Sequence, residues 1–256
     1  MWIDPKPSHT IHYQRSIPSD VAKTTRLIFV LSKSETVRIL QNLKDYGVSP
    51  VHLLHAVSAL AVFALNPVTD DDDLTAHVTH PTALMALSRW FVPSINIKTH
   101  FVSSMTLAPV RLAWRDLANI PDEKDRLLRA LQLYKVQFDA YLSSPHTAHL
   151  AAQMARLAGP EPDASVNIAS TVPTNVGNIE KMISTKWYNL GDTREPVISL
   201  LHWHMGVKVT IPACPLHMWT MNSQLTVQIH GSDHYDESVL RSYLNEIVRQ
   251  IRLLGE

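Results

Sequence analysis

Apolar positions recur along this chain with two periods, and the switches between them divide it into elements. Residues 1–22 carry three prolines, two histidines and no amphipathic period, which predicts an extended arm ahead of one folded unit over residues 23–256. Thr25 to Leu31 is a short β-branched and apolar run that predicts a strand. Ser32 and Glu35 then stand at the S-x-x-E spacing of a capping box, so a helix follows to about Tyr46, with Gly47 just past its end. Ser49 and Pro50 supply the cap and first turn of a second helix, in which Val51, Leu54, Val57, Ala61 and Leu65 recur at helical spacing.

Asn66 to His80, with Pro67 and the run Asp70 to Asp73, reads as an exposed loop, and Ser94 to Trp114 as short strands. Asp122 to Ser143 predicts a strong helix burying Leu127, Leu128, Leu131, Val136, Phe138 and Leu142. Another helix opens at Pro145 and stops at Gly159 and Pro160. The last third reads as three strands, Val166 to Val172, Val197 to Met205 and Met218 to His230, followed by a helix from Glu237 to Leu254. Val239, Leu240, Tyr243, Leu244, Ile247, Val248 and Ile251 form that helix's core side. Strand runs mixed with long helices indicate an α/β sandwich, a mixed sheet packed with helices.

Composition removes several classes of partner. The 256 residues balance 23 Lys+Arg against 23 Asp+Glu, which leaves no basic field for nucleic acid and no polybasic patch for an anionic membrane. The longest nearly apolar run, Ala56 to Leu65, falls far short of the roughly 20 residues a membrane span needs. The N-terminus has no apolar stretch of signal-peptide length, so a cytoplasmic protein is expected. A single cysteine, Cys214, excludes an intrachain disulfide and a cysteine-rich zinc site.

Three phrases carry a family resemblance: Tyr46 to Leu54 with Ala56 and Ala59 behind it, Asn175 to Glu180, and Leu225 to Ile229 running into Tyr235, Asp236 and Glu237. Their order over about residues 24–254 resembles the C-terminal half of the CoA-dependent acyltransferase superfamily, which includes chloramphenicol acetyltransferase, condensation domains and fungal trichothecene acetyltransferases. The resemblance implies a chloramphenicol-acetyltransferase-like two-layer α/β sandwich as a single half-unit. It also implies acyl transfer with the histidine of an HxxxD motif as general base. None of the fourteen histidines here has an aspartate four residues later. In the nearest phrase, His230 to Asp236, it is His234 that stands at the aspartate position, and His202 to Gly206 shares only its glycine with the DFGWG motif of plant-type members.

The remaining candidate chemistry gathers in the last third. Period-two alternation puts Leu225, Val227 and Ile229 on one strand face and Thr226, Gln228 and His230 on the other, which either lines a pocket or meets solvent. His230, His234 and Asp233 offer an acid/base set, although Asp233 or Asp236 is equally placed to cap the last helix. His202 and His204 share a face with Trp203 opposite; a third ligand at a recognisable spacing is missing, so no metal is expected. Cys214, three residues before His217, reads as a buried structural thiol, and no glycine-rich phosphate cradle or other cofactor motif is present.

Three functions follow as expectations. The first is a cofactor-independent tailoring enzyme of specialised metabolism that folds an apolar small molecule for cyclisation or isomerisation, Diels–Alder chemistry among the options. Thr226, Gln228, His202, His204 and Trp203 would bind the substrate, and His230, His234 and Asp233 would act on it. The second is acyl transfer with the base relocated to His230 or His234, at an oligomer interface between copies if the chain self-associates. The third is a non-catalytic partner that completes a separate first half.

Overall fold

The structure is a computed structural model that describes residues 8–13, 23–69, 74–92, 94–95, 105–157, 170–189 and 195–256. Strand β1 (Thr24–Val30) leads into α1 (Lys33–Asp45) and α2 (Pro50–Leu65), then the short strands β2 (His77–His80), β3 (Leu84–Ala86), β4 (Met105–Leu107) and β5 (Val110–Ala113). Helices α3 (Glu123–Ser143) and α4 (Thr147–Leu157) follow, then β6 (Ser170–Asn178), the two-residue strands β7 (Lys186–Trp187) and β8 (Ile198–Ser199), β9 (Ala213–Met221), β10 (Gln224–Ser232) and α5 (Glu237–Arg252).

The expected capping box forms at α1, and α2 begins at Pro50 behind its expected cap residue Ser49. Ser32 Oγ accepts from the Glu35 amide, and the Glu35 carboxylate accepts from the Ser32 amide at 2.9 Å. At the second helix the reciprocal partner is His52, whose Nδ1 accepts from the Ser49 amide at 3.1 Å. Helix α2 is apolar all round, so it is buried all round, the condition of a central helix. In α3 the buried stripe is Leu127, Ala130, Leu131, Tyr134 and Phe138. Val136 was expected on it but lies about 200° around the helix from Tyr134 and is exposed.

Four strands form the main sheet in the order β1-β10-β9-β6, antiparallel except for the β6–β9 pair. The sheet is mixed, as expected, and helices cover one face. Leu225, Val227 and Ile229 of β10 join Leu216 and Met218 of β9 in a core shared with α2, α3 and α5. The strand expected over Met218 to His230 is instead a hairpin, turning at Asn222 (φ 52°) and Ser223 (φ 62°). Two consecutive left-handed residues make the two-residue turn whose twist matches antiparallel strands. Asn-Ser lacks the glycine that usually announces such a turn.

Other expectations shift too. The loop read over Asn66 to His80 ends in strand β2, which pairs with β5 and buries His77, Val78 and His80. Residues 8–13 lie beside β2: the His9 amide donates to His77 O at 2.7 Å, and Ile11 is buried in the core. Of the strand expected at Val197 to Met205, only Ile198–Ser199 is paired. The rest of the expected arm, the run Asp70 to Asp73, the first part of the strand read from Val166, and the Gly159-Pro160 helix stop lie outside the described residues.

A polar network occupies the centre of the helix-covered side. His55 Nδ1 and His80 Nδ1 are 3.0 Å apart, so one carries the shared proton. Ser58 Oγ lies 3.3 Å from His80 Nε2, 3.1 Å from Thr171 Oγ1 and 2.7 Å from the Tyr243 hydroxyl, and the Tyr134 hydroxyl reaches His80 Nδ1 at 3.3 Å. All six groups are buried, which makes the network a device for tying α2, β2, α3, β6 and α5 together.

Burial lowers His80 from 6.5 to about 3, and His55 is held well below 6.5 by the same desolvation and by the neighbouring ring. The unfolded chain therefore takes up these protons first as pH falls, and stability declines from about pH 6.5 downwards. For His80 alone the loss at pH 5 is about 2 kcal/mol. Stability to urea should fall steeply between about pH 7 and pH 5, and His80→Gln should flatten that slope; urea titrations across this range check it. Tyr243→Phe removes the 2.7 Å partner of Ser58 and should cost about 1 kcal/mol by the same measurement.

Candidate functional site

The second face of the β9–β10 hairpin carries Thr226, Gln228 and His230 from β10. Register places Trp219 opposite Thr226 and His217 opposite Gln228. A solvated strand face was one reading of this set, and the structure overturns it: Thr226, Gln228 and His230 are 7%, 0% and 2% exposed. Residues 201–209 cross over them without regular secondary structure. Trp203 stands edge-on to Trp219, ring centroids 4.9 Å apart, within a small apolar cluster of Ile179, Met221, Val176 and Leu200. Alternation survives although the strand does not, for His202 and His204 project outward, exposed, with parallel rings 6.4 Å apart.

Side-chain bonds hold this cover. Gln228 Nε2 donates to Met205 O at 2.6 Å, Thr24 Oγ1 bonds both the amide and the carbonyl of Val209, and Asn222 Nδ2 donates to Leu201 O. Beside it β6 bends at Gly177, which sits at φ +91° where the register shifts. Only glycine takes that backbone conformation freely, so the Asn175-Val176-Gly177-Asn178 phrase is the sequence record of a bulge.

The two histidines beneath the cover are coupled. Their rings meet edge-to-face at 5.5 Å. Burial lowers His217 from 6.5 to about 4, with the His230 ring adding to the effect. His230 is also lowered, first by burial; the Met205 carbonyl raises it and Arg26, opposite it on β1, lowers it further. Both rings are neutral near pH 7, and a neutral imidazole can accept a proton or relay one. His217 entered the sequence reading only beside Cys214. The signal that finds it is its pairing across the hairpin from Gln228, invisible until the turn at Asn222 is placed.

The other candidates sit apart from this pair. His234 Nδ1 lies 2.9 Å from Ser232 Oγ at the end of β10, and Asp233 accepts from the Lys23 amide. Asp236 is the cap residue of α5 but makes no side-chain cap bond. Cys214 is buried beside the core, where desolvation pushes its thiol up to about 12, out of range for a nucleophile near neutral pH. Among the described residues no group of three or more His, Cys, Asp or Glu is arranged to hold a metal ion. A surface groove of about 330 Å³ lies between β1 and α5, lined by Phe29, Val248, Arg249 and Arg252, and contains none of the candidates. No single described helix is long and apolar enough to cross a membrane.

No protein-family model and no curated protein matches the sequence. Its fold, however, superposes as a single half-unit on solved acyltransferase and peptide-synthetase domain structures. The TRI3 trichothecene 15-O-acetyltransferase from Fusarium sporotrichioides superposes at a TM-score of 0.75 with 19% identity, over 96% of this chain and 49% of that one. The epimerization domain of tyrocidine synthetase B superposes at 0.62 with 12% identity, over 98% and 52%. The PapA2 acyl transferase superposes at 0.56 with 15% identity, over 97% and 49%. The chain therefore spans about half the length of these structures.

His217 should keep its neutral form through the whole range from pH 8 to pH 5. Histidine ring proton shifts followed by NMR check this, with an expected midpoint near 4 for His217.

Proposed function

We propose that this chain supplies one half of an acyl-transfer site acting on a small molecule, and that a second unit of the same fold supplies the other half. The carrying observation is the superposition of 96% of the chain on 49% of a trichothecene 15-O-acetyltransferase at a TM-score of 0.75. Exposed apolar side chains next to the candidate site agree with a second unit packing there. Trp187 and Ile198 pair across β7 and β8 and are both exposed, as is Leu201 at the start of the cover. No HxxxD histidine is present, so a base from this chain would be a relocated one: His230 or His234, as expected from the sequence, or His217, which the hairpin brings beside His230.

A second reading, isomerisation or cyclisation on the same fold, draws support from two further superpositions. One is the epimerization domain; the other is the EpoB cyclization-docking bidomain, at a TM-score of 0.55 with 13% identity. The Diels–Alder form of that reading has no observation of its own.

Deleting the gene in its native host and comparing metabolites by mass separates these readings. Acyl transfer predicts accumulation of a compound lighter than the product by one acyl group. An accumulating compound of unchanged mass would replace that reading with isomerisation or cyclisation. In a complemented strain, His217→Gln together with His230→Gln should lower product by at least about tenfold if either ring is the base. Undiminished product would leave the base to His234 or to the second unit.

A further inference from the structure

We propose that residues 201–209 are a displaceable cover and that the sheet face beneath them binds one hydroxyl group of a small molecule. The proposal rests on the acyl-transfer reading only in taking that hydroxyl as the acyl acceptor.

The bonding around Gln228 defines the ligand class. Its amide nitrogen gives one hydrogen to Met205 O at 2.6 Å and the other to His230 Nε2 at 3.1 Å. That ring nitrogen must then be an acceptor, which puts the ring proton on His230 Nδ1. Among the described residues, His230 Nδ1, Gln228 Oε1 and His217 Nδ1 are buried without a hydrogen-bond partner. All three belong to side chains more than nine-tenths buried on one sheet face, Gln228 and His217 directly opposite each other and His230 two residues along. The set therefore offers one donor, one fixed acceptor and an imidazole nitrogen able to serve as either.

A hydroxyl group matches this set because it can accept from His230 Nδ1–H while donating to Nδ1 of the adjoining His217 ring. A carbonyl can only accept and gives a hydrogen to neither His217 Nδ1 nor Gln228 Oε1. An ammonium group can only donate and meets the His230 proton head-on.

The cover is built to open. Residues 201–209 make no backbone-to-backbone hydrogen bond among the described residues, whereas the β9 and β10 strands beneath are laddered on both sides. What holds the cover is the bonding from Gln228, Thr24 and Asn222 and the seating of Trp203 on Trp219. A segment tied this way opens at lower free energy than the ladder it lies on.

Diethylpyrocarbonate labelling at about pH 7, read out residue by residue by mass spectrometry, tests both parts. The full chain is used without any acyl donor, so the result is independent of whether acyl transfer is the reaction. His217 and His230 should label more slowly than the exposed His202 but much faster than the core residue His80. Trp203→Ala should raise both rates at least about fivefold with the His80 rate unchanged. If that variant does not fold, Asn222→Ala, which removes the tie to Leu201, should do the same to a smaller degree. Cyclohexanol should slow labelling of both rings, and cyclohexanone, with the same ring but no donor, should not. Rates that track His80 in every variant would refute the cover. Equal protection by alcohol and ketone, or by neither, would refute the hydroxyl site.

Discussion

Both faces of the β9–β10 hairpin are buried, and the rest of the structure follows from how each face is covered. A sheet with one wet face needs only a helical layer on the other, and its strands alternate apolar with polar. Here the alternation is present, Leu225, Val227 and Ile229 against Thr226, Gln228 and His230, yet the polar set is as dry as the apolar one. The helices bury the first set in the ordinary way. The second set has to be covered by a segment that can meet polar groups, and residues 201–209 do so with backbone carbonyls and one tryptophan.

The two buried histidine pairs show what burial demands. His55 and His80 sit among hydroxyls from Ser58, Tyr134 and Tyr243, so both nitrogens of His80 and Nδ1 of His55 have partners and the cluster locks the helical layer. His217 and His230 are buried to a similar extent but each keeps a nitrogen without a partner in the described protein. Polar groups buried without partners destabilise a fold, and a ligand, a reaction or a bound water is among the things that can compensate them. This contrast, rather than histidine content, separates the structural pair from the candidate site.

Local signals in the sequence were reliable and pairing signals were not. Ser32 and Glu35, Ser49 and Pro50, and the α5 stripe marked their helices because capping and a 3.6-residue period act over a few residues. The hairpin was missed because Met218 to His230 is apolar enough to read as one strand, and Asn222-Ser223 adopts its turn without glycine. That omission hid His217, since its position beside Gln228 and His230 exists only once the chain folds back. His80 was lost for a related reason: β2 gains its identity from β5, some thirty residues away, and short strands carry little signal of their own. The resemblance, resting on order and spacing rather than on a catalytic motif, indicated the half-unit fold and left the chemistry open.

Neutrality and access pull against each other at the candidate site. An imidazole can take a proton from an attacking hydroxyl only while unprotonated, and burial keeps His217 in that form down to about pH 4. The same burial makes its conjugate acid costly, so a proton taken up there must be passed on quickly or stabilised by a group that arrives with the substrate. His230 is the nearest ring to share that charge, and Arg26 opposes it. An acyl group developing negative charge beside the pair would offset that cost. On the acyl-transfer proposal, the site is a poor base when closed and alone, and would become a competent one only when substrate and the proposed second unit bring their own charges to the face that residues 201–209 now cover.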